Sequence, residues 1–133
     1  MEAAQDIRER TFQYALRAIK VYQSISVCRN GAGTVLAKQY LRAATSVGAN
    51  LEEAYAAESK RDFMHKCRIA LKEVRESRYW LRLINESEIL ISDEVHILLA
   101  ETRELVAILT TIVKKTSHSL NAEEERLKAK QGK

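Results

Sequence analysis

Residues 60–85, KRDFMHKCRIALKEVRESRYWLRLIN, decide the fold. The stretch contains neither proline nor glycine, the two residues that most disfavour a helix interior. At 100° per residue, Phe63, Cys67, Ala70, Val74, Ser77 and Leu81 share one face at steps of three and four. Such a stripe needs another surface to cover it. Ser59 precedes it, with Asp62 three residues on, a helix start with an acid in the first turn. The predicted helix runs from about 60 to 85.

The remaining faces of this helix are polar in different ways. Arg61, Arg68, Lys72, Arg75, Tyr79 and Arg82 form a basic stripe with one aromatic in it. Ile69, Glu73, Glu76, Trp80 and Leu83 form a mixed face. Residues 60–87 carry eight Lys/Arg against four Asp/Glu, an excess equal to the net charge of +4 for the whole chain. A basic excess concentrated on one element points to an anionic partner.

Working outward, three more helices follow from the same spacing. The first spans about 6–25, with Ile7, Tyr14, Ala18, Ile19, Tyr22 and Ile25 inward. Arg29-Asn30-Gly31-Ala32-Gly33 reads as a loop, and Thr34 as the cap of a second helix over about 35–58. Its core face holds Leu36, Ala37, Tyr40, Leu41, Ala44, Val47, Gly48, Leu51, Ala54 and Tyr55. Its outer face, with Ala43, Ser46, Ala49, Asn50, Glu53 and Ala57, is mostly small and reads as a packing interface or a solvated surface. The fourth helix spans about 92–119, starting at Ser92-Asp93-Glu94 and burying Val95, Leu98, Leu99, Thr102, Leu105, Val106, Leu109, Ile112 and Val113. The charged tail, 120–133, is expected to fray or be disordered. With no strand pattern, the fold class is all-α: one domain over 1–119, an antiparallel up-down-up-down four-helix bundle with short loops.

Several chemistries lack their residues. Cys28 and Cys67 fit no metal spacing and read as reduced thiols. His65, His96 and His118 are scattered, and no Glu has a His three residues later, so no metal site is expected. Glu52/Glu53 and Glu73/Glu76 come with no nucleophile, and Gly31-Ala32-Gly33 lacks the phosphate-loop lysine. No catalytic residue, cofactor or small-molecule substrate is expected; the chain reads as non-enzymatic. The N-terminus lacks a signal-peptide pattern and no apolar run reaches the roughly 18 residues of a membrane span, so the expected location is cytoplasmic, without a membrane partner.

Two segments carry a family resemblance. Leu41-Arg42-Ala43-Ala44-Thr45-Ser46-Val47-Gly48-Ala49-Asn50-Leu51-Glu52-Glu53-Ala54 resembles the hallmark of the 23S rRNA-intervening-sequence four-helix-bundle proteins. Asp62-Phe63, together with Ile69-Ala70-Leu71-Lys72-Glu73-Val74-Arg75-Glu76-Ser77-Arg78-Tyr79-Trp80-Leu81, is similar to their second motif. The resemblance covers roughly residues 10–115 and is generic in the first and fourth helices. It implies a bacterial bundle that assembles as a ring-shaped homopentamer. Some members are encoded within segments inserted in 23S rRNA genes, and a related accessory protein of diversity-generating retroelements binds nucleic acid and a reverse transcriptase. Many members have Gly-Ser where this chain has Lys72-Glu73.

The hallmark positions fall on Arg42, Ser46, Asn50 and Glu53 in the second helix and on Lys72, Glu73 and Glu76 in the third. Asn50 and Gly48 are poor helix formers, at a cost of about 0.7–1 kcal/mol relative to Ala, so another constraint acts there. The expectation is a polar cluster of these residues and Trp80 that links the second and third helices, within a subunit or across an oligomer interface. The functional expectation is a homo-oligomer that binds RNA or DNA, structured RNA before DNA, through Arg61, Arg68, Lys72, Arg75, Tyr79 and Arg82. The alternative is a scaffold that binds only itself or a protein.

Overall fold

The computed structural model describes residues 3–132, with side chains from Ile7 onward. Four helices follow one another: α1 (Ala3–Ser26), α2 (Gly31–Tyr55), α3 (Lys60–Glu86) and α4 (Asp93–Gln131). Each packs on its sequence neighbours and α4 returns to α1, which closes the up-down-up-down bundle. The broadest contact is between α2 and α3, and the thinnest is between α1 and α4.

The core follows a strict alternation of three- and four-residue steps. Ile7, Thr11, Tyr14, Ala18, Val21 and Ile25 are buried on α1, and Ala37, Tyr40, Ala44, Val47, Leu51 and Ala54 on α2. Cys67, Ala70, Val74, Ser77, Leu81 and Ile84 continue it on α3, and Val95, Leu98, Thr102, Leu105 and Leu109 on α4. This is the spacing that keeps one narrow seam turned inward along a long antiparallel bundle. Each fully buried Leu, Ile or Val contributes about 1.5–3 kcal/mol of transfer free energy.

The three serine and threonine residues in the seam satisfy their donors on their own helices. Thr11 donates to Arg8 O at 3.0 Å, Ser77 to Val74 O at 2.8 Å and Thr102 to Leu99 O at 2.6 Å. Across the core, the Tyr14 hydroxyl lies 2.9 Å from Ser77 Oγ, and the Tyr14 ring meets Tyr40 edge-on at 6.2 Å. Because the only Ser77 proton is already given to Val74, Tyr14 is the donor to Ser77. Burial pushes the Tyr14 hydroxyl up to about 12.

Several boundaries and faces differ from the sequence expectation. Asn30, not Thr34, caps α2: its side chain accepts from Gly33 N at 2.8 Å, so the apparent glycine loop is the first helical turn. Gly33 is needed for close approach, since an added Cβ would come within 3.1 Å of Ile89 Cγ2 and 3.2 Å of Ile25 Cγ2. Helix α2 ends at Tyr55, before 58, with Ala56 as its C-cap. Ile19 is 38% exposed while Val21 takes the seam position, because the four-three alternation selects 18, 21 and 25. Ala43, expected on the outer face of α2, is fully buried in the tightly packed bundle.

The tail also departs from expectation. Helix α4 continues to Gln131 instead of fraying from 120. Its extension is tied to the start of α3: Lys60 donates to Ser119 Oγ at 2.8 Å and pairs with Glu123 at 2.6 Å, and Arg61 pairs with Glu124 at 2.6 Å. Ala, Glu, Lys, Arg and Leu are good helix formers, and Gly132 is the first breaker. No helix among the described residues is long and apolar enough to cross a membrane.

Candidate nucleic-acid interface

Helix α3 presents different charges to its two neighbours. On the α2 side, Arg42 reaches across to Glu73 at 3.5 Å and to Glu76 in a shorter contact. Trp80 Nε1 donates to Glu76 at 3.1 Å. That indole bond, ahead of Arg42, holds the Glu76 carboxyl below the usual carboxylate range. Two turns from Glu73 toward the α3 N-terminus, Lys66 pairs with Glu53 of α2 at 2.8 Å.

The polar cluster joining α2 and α3 therefore exists within one subunit, but with a narrower membership than the hallmark positions gave. Arg42, Glu73, Glu76 and Trp80 form it. Ser46 donates back to Arg42 O at 2.7 Å and Asn50 to Ser46 O at 2.8 Å, so both bond the backbone of their own helix. Asn50 and Glu73 share no hydrogen bond among the described residues. Gly48 lies against Thr11, where an added Cβ would make an ordinary 3.4 Å contact, so packing there does not demand glycine.

The basic stripe divides in the same way. At its ends, Arg61 is engaged by Glu124, and Arg82 pairs with Glu86 at 3.2 Å one turn along α3. Arg68, Lys72 and Arg75 are exposed and form no ion pair among the described residues. Tyr79 is 55% exposed, with its ring edge-on to Trp80 at 5.1 Å. The stripe thus contracts to three free cations and one aromatic face.

Two residues missed in the sequence join it. Arg78 and Arg75 of α3 line a groove with Arg103 and Val106 of α4. Arg78 sits between the basic stripe and the core face, and Arg103 belongs to a helix whose own pattern reads as plain packing. Only the antiparallel pairing of α3 with α4 brings them together.

Elsewhere the surface offers less chemistry. A groove of about 600 Å³ is lined by Tyr55, Ala107, Ile108, Thr111, Ile112, Lys115 and Thr116, with Lys115 its one charged side chain. Cys67 is buried in the core and its thiol is pushed up to about 11 by burial, which makes it a poor nucleophile at neutral pH. Among the described residues, no three His, Cys, Asp or Glu side chains converge as a metal site.

The chain matches the 23S rRNA-intervening sequence protein family over residues 4–111. It belongs to that family. A solved relative, described as a protein of unknown function from the S23 ribosomal protein family of Bacteroides thetaiotaomicron, is 33% identical, with a TM-score of 0.74. The alignment covers 81% of this chain and 98% of the relative. No curated protein matches the chain. As a 23S rRNA-intervening sequence protein, the chain has its hallmark residues on the α2–α3 pair, which is also the broadest contact of the bundle.

Proposed function

We propose that the protein is a non-enzymatic, self-associating bundle that binds nucleic acid, structured RNA in preference to DNA, through Arg68, Lys72, Arg75 and Tyr79 of α3. One observation carries this reading: Glu73, Glu76 and Glu86 are engaged by arginines, while Arg68, Lys72 and Arg75 are exposed and form no ion pair among the described residues. Free cations along a rigid helix can follow a phosphate backbone, and an exposed tyrosine ring offers a stacking surface to an unpaired base. Membership of the 23S rRNA-intervening sequence protein family, and likeness to a member of the S23 ribosomal protein family, support RNA as the partner.

Fluorescence anisotropy with a labelled RNA hairpin, repeated across salt concentrations, tests the proposal. Three phosphate contacts give a slope of log affinity against log salt of roughly −2 to −3. Charge reversal at Arg68 and Arg75 is expected to abolish binding. Absence of any salt-sensitive affinity for RNA or DNA at low ionic strength would end the reading.

The alternative, a scaffold without nucleic-acid affinity, has its own support. Phe12, Leu16 and Ile19 are 57%, 41% and 38% exposed at helical spacing on α1, an apolar stripe suited to a second copy. Light scattering with and without RNA separates the two. A homo-oligomer, a pentamer under the family resemblance, that gains no mass with RNA supports the scaffold.

A further inference from the structure

The free cations of α3 do not end at its exposed stripe. Arg75 and Arg78, one turn apart, face Arg103 across a groove of about 390 Å³ whose remaining wall is the apolar side chain of Val106. No acid lines it. Arg75 and Arg103 are exposed, whereas Arg78 is half-buried, and its Nε is shielded from solvent with no hydrogen-bond partner among the described residues.

That combination is unfavourable as it stands. Three guanidinium groups facing one groove repel one another, and the apolar wall weakens screening by water. A charged N–H that is hidden from water and lacks an acceptor is costlier than an exposed one. A tetrahedral oxyanion removes both penalties. It neutralises the cluster and gives the Arg78 Nε–H an acceptor, and the planar guanidinium fork matches two oxygens of one phosphate.

We propose that the α3–α4 groove is a phosphate-binding site, with Arg78 as the inner ligand and Arg75 and Arg103 closing over the anion from the two helices. Two sources share this chemistry, a backbone phosphodiester of nucleic acid and free phosphate. The first rests on the reading of α3 given above; the site itself does not. If the source is nucleic acid, the interface crosses from α3 onto α4, and its phosphate track includes a residue whose donor is already shielded from water.

The test follows the Arg78 Nε–H signal by ¹⁵N NMR during titration with inorganic phosphate against chloride at matched ionic strength, alongside RNA-hairpin anisotropy. The variants are Arg78→Gln, Arg78→Lys and Arg103→Gln, with Arg68→Gln as a stripe control outside the groove. Circular dichroism checks their folding, and Arg103→Gln, at an exposed position, keeps the test available if Arg78 variants unfold. Expected are a phosphate-dependent shift of the Arg78 signal in the wild type and its loss in Arg103→Gln. RNA affinity should fall about tenfold for each groove variant, Arg78→Lys included because it keeps charge but loses the fork. A phosphate response without RNA affinity, or with RNA affinity unchanged in the groove variants, assigns the site to free phosphate. RNA binding that is unaltered in the groove variants, with an unmoved Arg78 signal, overturns the groove while the α3 stripe stands. No response to either ligand overturns both.

Discussion

The bond between Tyr14 and Ser77 crosses the centre of the bundle, and its two partners should not be equivalent to mutation. Tyr14 is 1% exposed and Ser77 fully buried, with 2.9 Å between their oxygens. Ser77 spends its proton on Val74 O, 2.8 Å away, and accepts from Tyr14. Ser77→Ala therefore strands a buried phenolic donor, at a cost of about 1–3 kcal/mol, offset in part by the better helix propensity of alanine. Tyr14→Phe removes that donor and leaves the Ser77 proton satisfied, so it costs only about 0.5–1.5 kcal/mol. The double variant has nothing left to strand and should be less destabilised than the sum of the singles by roughly 1 kcal/mol. For a chain of this size, thermal unfolding should show each kcal/mol as a shift of about 3–5 °C. Urea melts at neutral pH give the same ordering free of heat-capacity differences. A Tyr14→Phe variant less stable than Ser77→Ala, or strictly additive losses, would refute the assignment of Tyr14 as donor.

Three other outcomes follow from the same structure. The buried Tyr40 hydroxyl makes no well-formed hydrogen bond among the described residues and interacts only loosely with the Tyr14 hydroxyl, so Tyr40→Phe should leave stability unchanged or raise it by up to about 1 kcal/mol in urea titration; a loss larger than that would show that the bond to Tyr14 stabilises the core. Glu88 has φ 63°, the left-handed position of a helix C-terminal cap in which Glu88 N bonds Asn85 O at 3.2 Å and Ile89 N bonds Ile84 O at 3.2 Å. Glu88→Gly should therefore stabilise by about 0.5–1 kcal/mol, and a drop in melting temperature would contradict the cap. Folding raises the hydroxyl of Tyr14 from 10.0 to about 12, so the stability linked to its protonated form is complete below pH 10 and is lost as pH rises toward 12. Tyr40, raised by the same burial, adds to the effect, and phenolate absorbance should rise together with loss of helicity in that window.

Most of the architecture was legible because periodicity is local. The α3 face was read correctly down to Ser77, a polar residue that only its position in the seam identifies as buried. Thr11 and Val21 were missed on α1 through the weight given to Ile19 and Tyr22, although the strict four-three alternation from Ile7 to Ile25 selects them. The start of α2 was misplaced because glycines signal loops, whereas Asn30 supplied a stronger local signal as an N-cap. The charged tail was unreadable for a different reason: its order depends on Lys60 and Arg61, more than sixty positions away. The same limit governs the site. Membership of the basic stripe could be read from one helical wheel. Which of its cations stay free could not, since the acid that engages Arg61 belongs to another helix.

The partnering of charges, more than their number, separates the two sides of α3. Glu73 is the more protected acid of the α2–α3 cluster, its side chain only 13% exposed, and Arg42 lies across it and Glu76. A surface ion pair of this kind adds at most about 1 kcal/mol. Its larger consequence is electrostatic sorting. With both central acids of α3 engaged by Arg42 on the α2 side, Arg75 and Arg78 face α4 without an acidic partner among the described residues. Were Glu73 and Glu76 free to swing round the helix, they would compete with any phosphate for those cations. By that logic Arg42, without touching a ligand, would act as a positioning residue for the proposed interface. It also gives a physical reason for an arginine and two glutamates of the hallmark to meet on the α2–α3 seam: pairing there keeps Glu73 and Glu76 away from Arg75 and Arg78 on the α4 side.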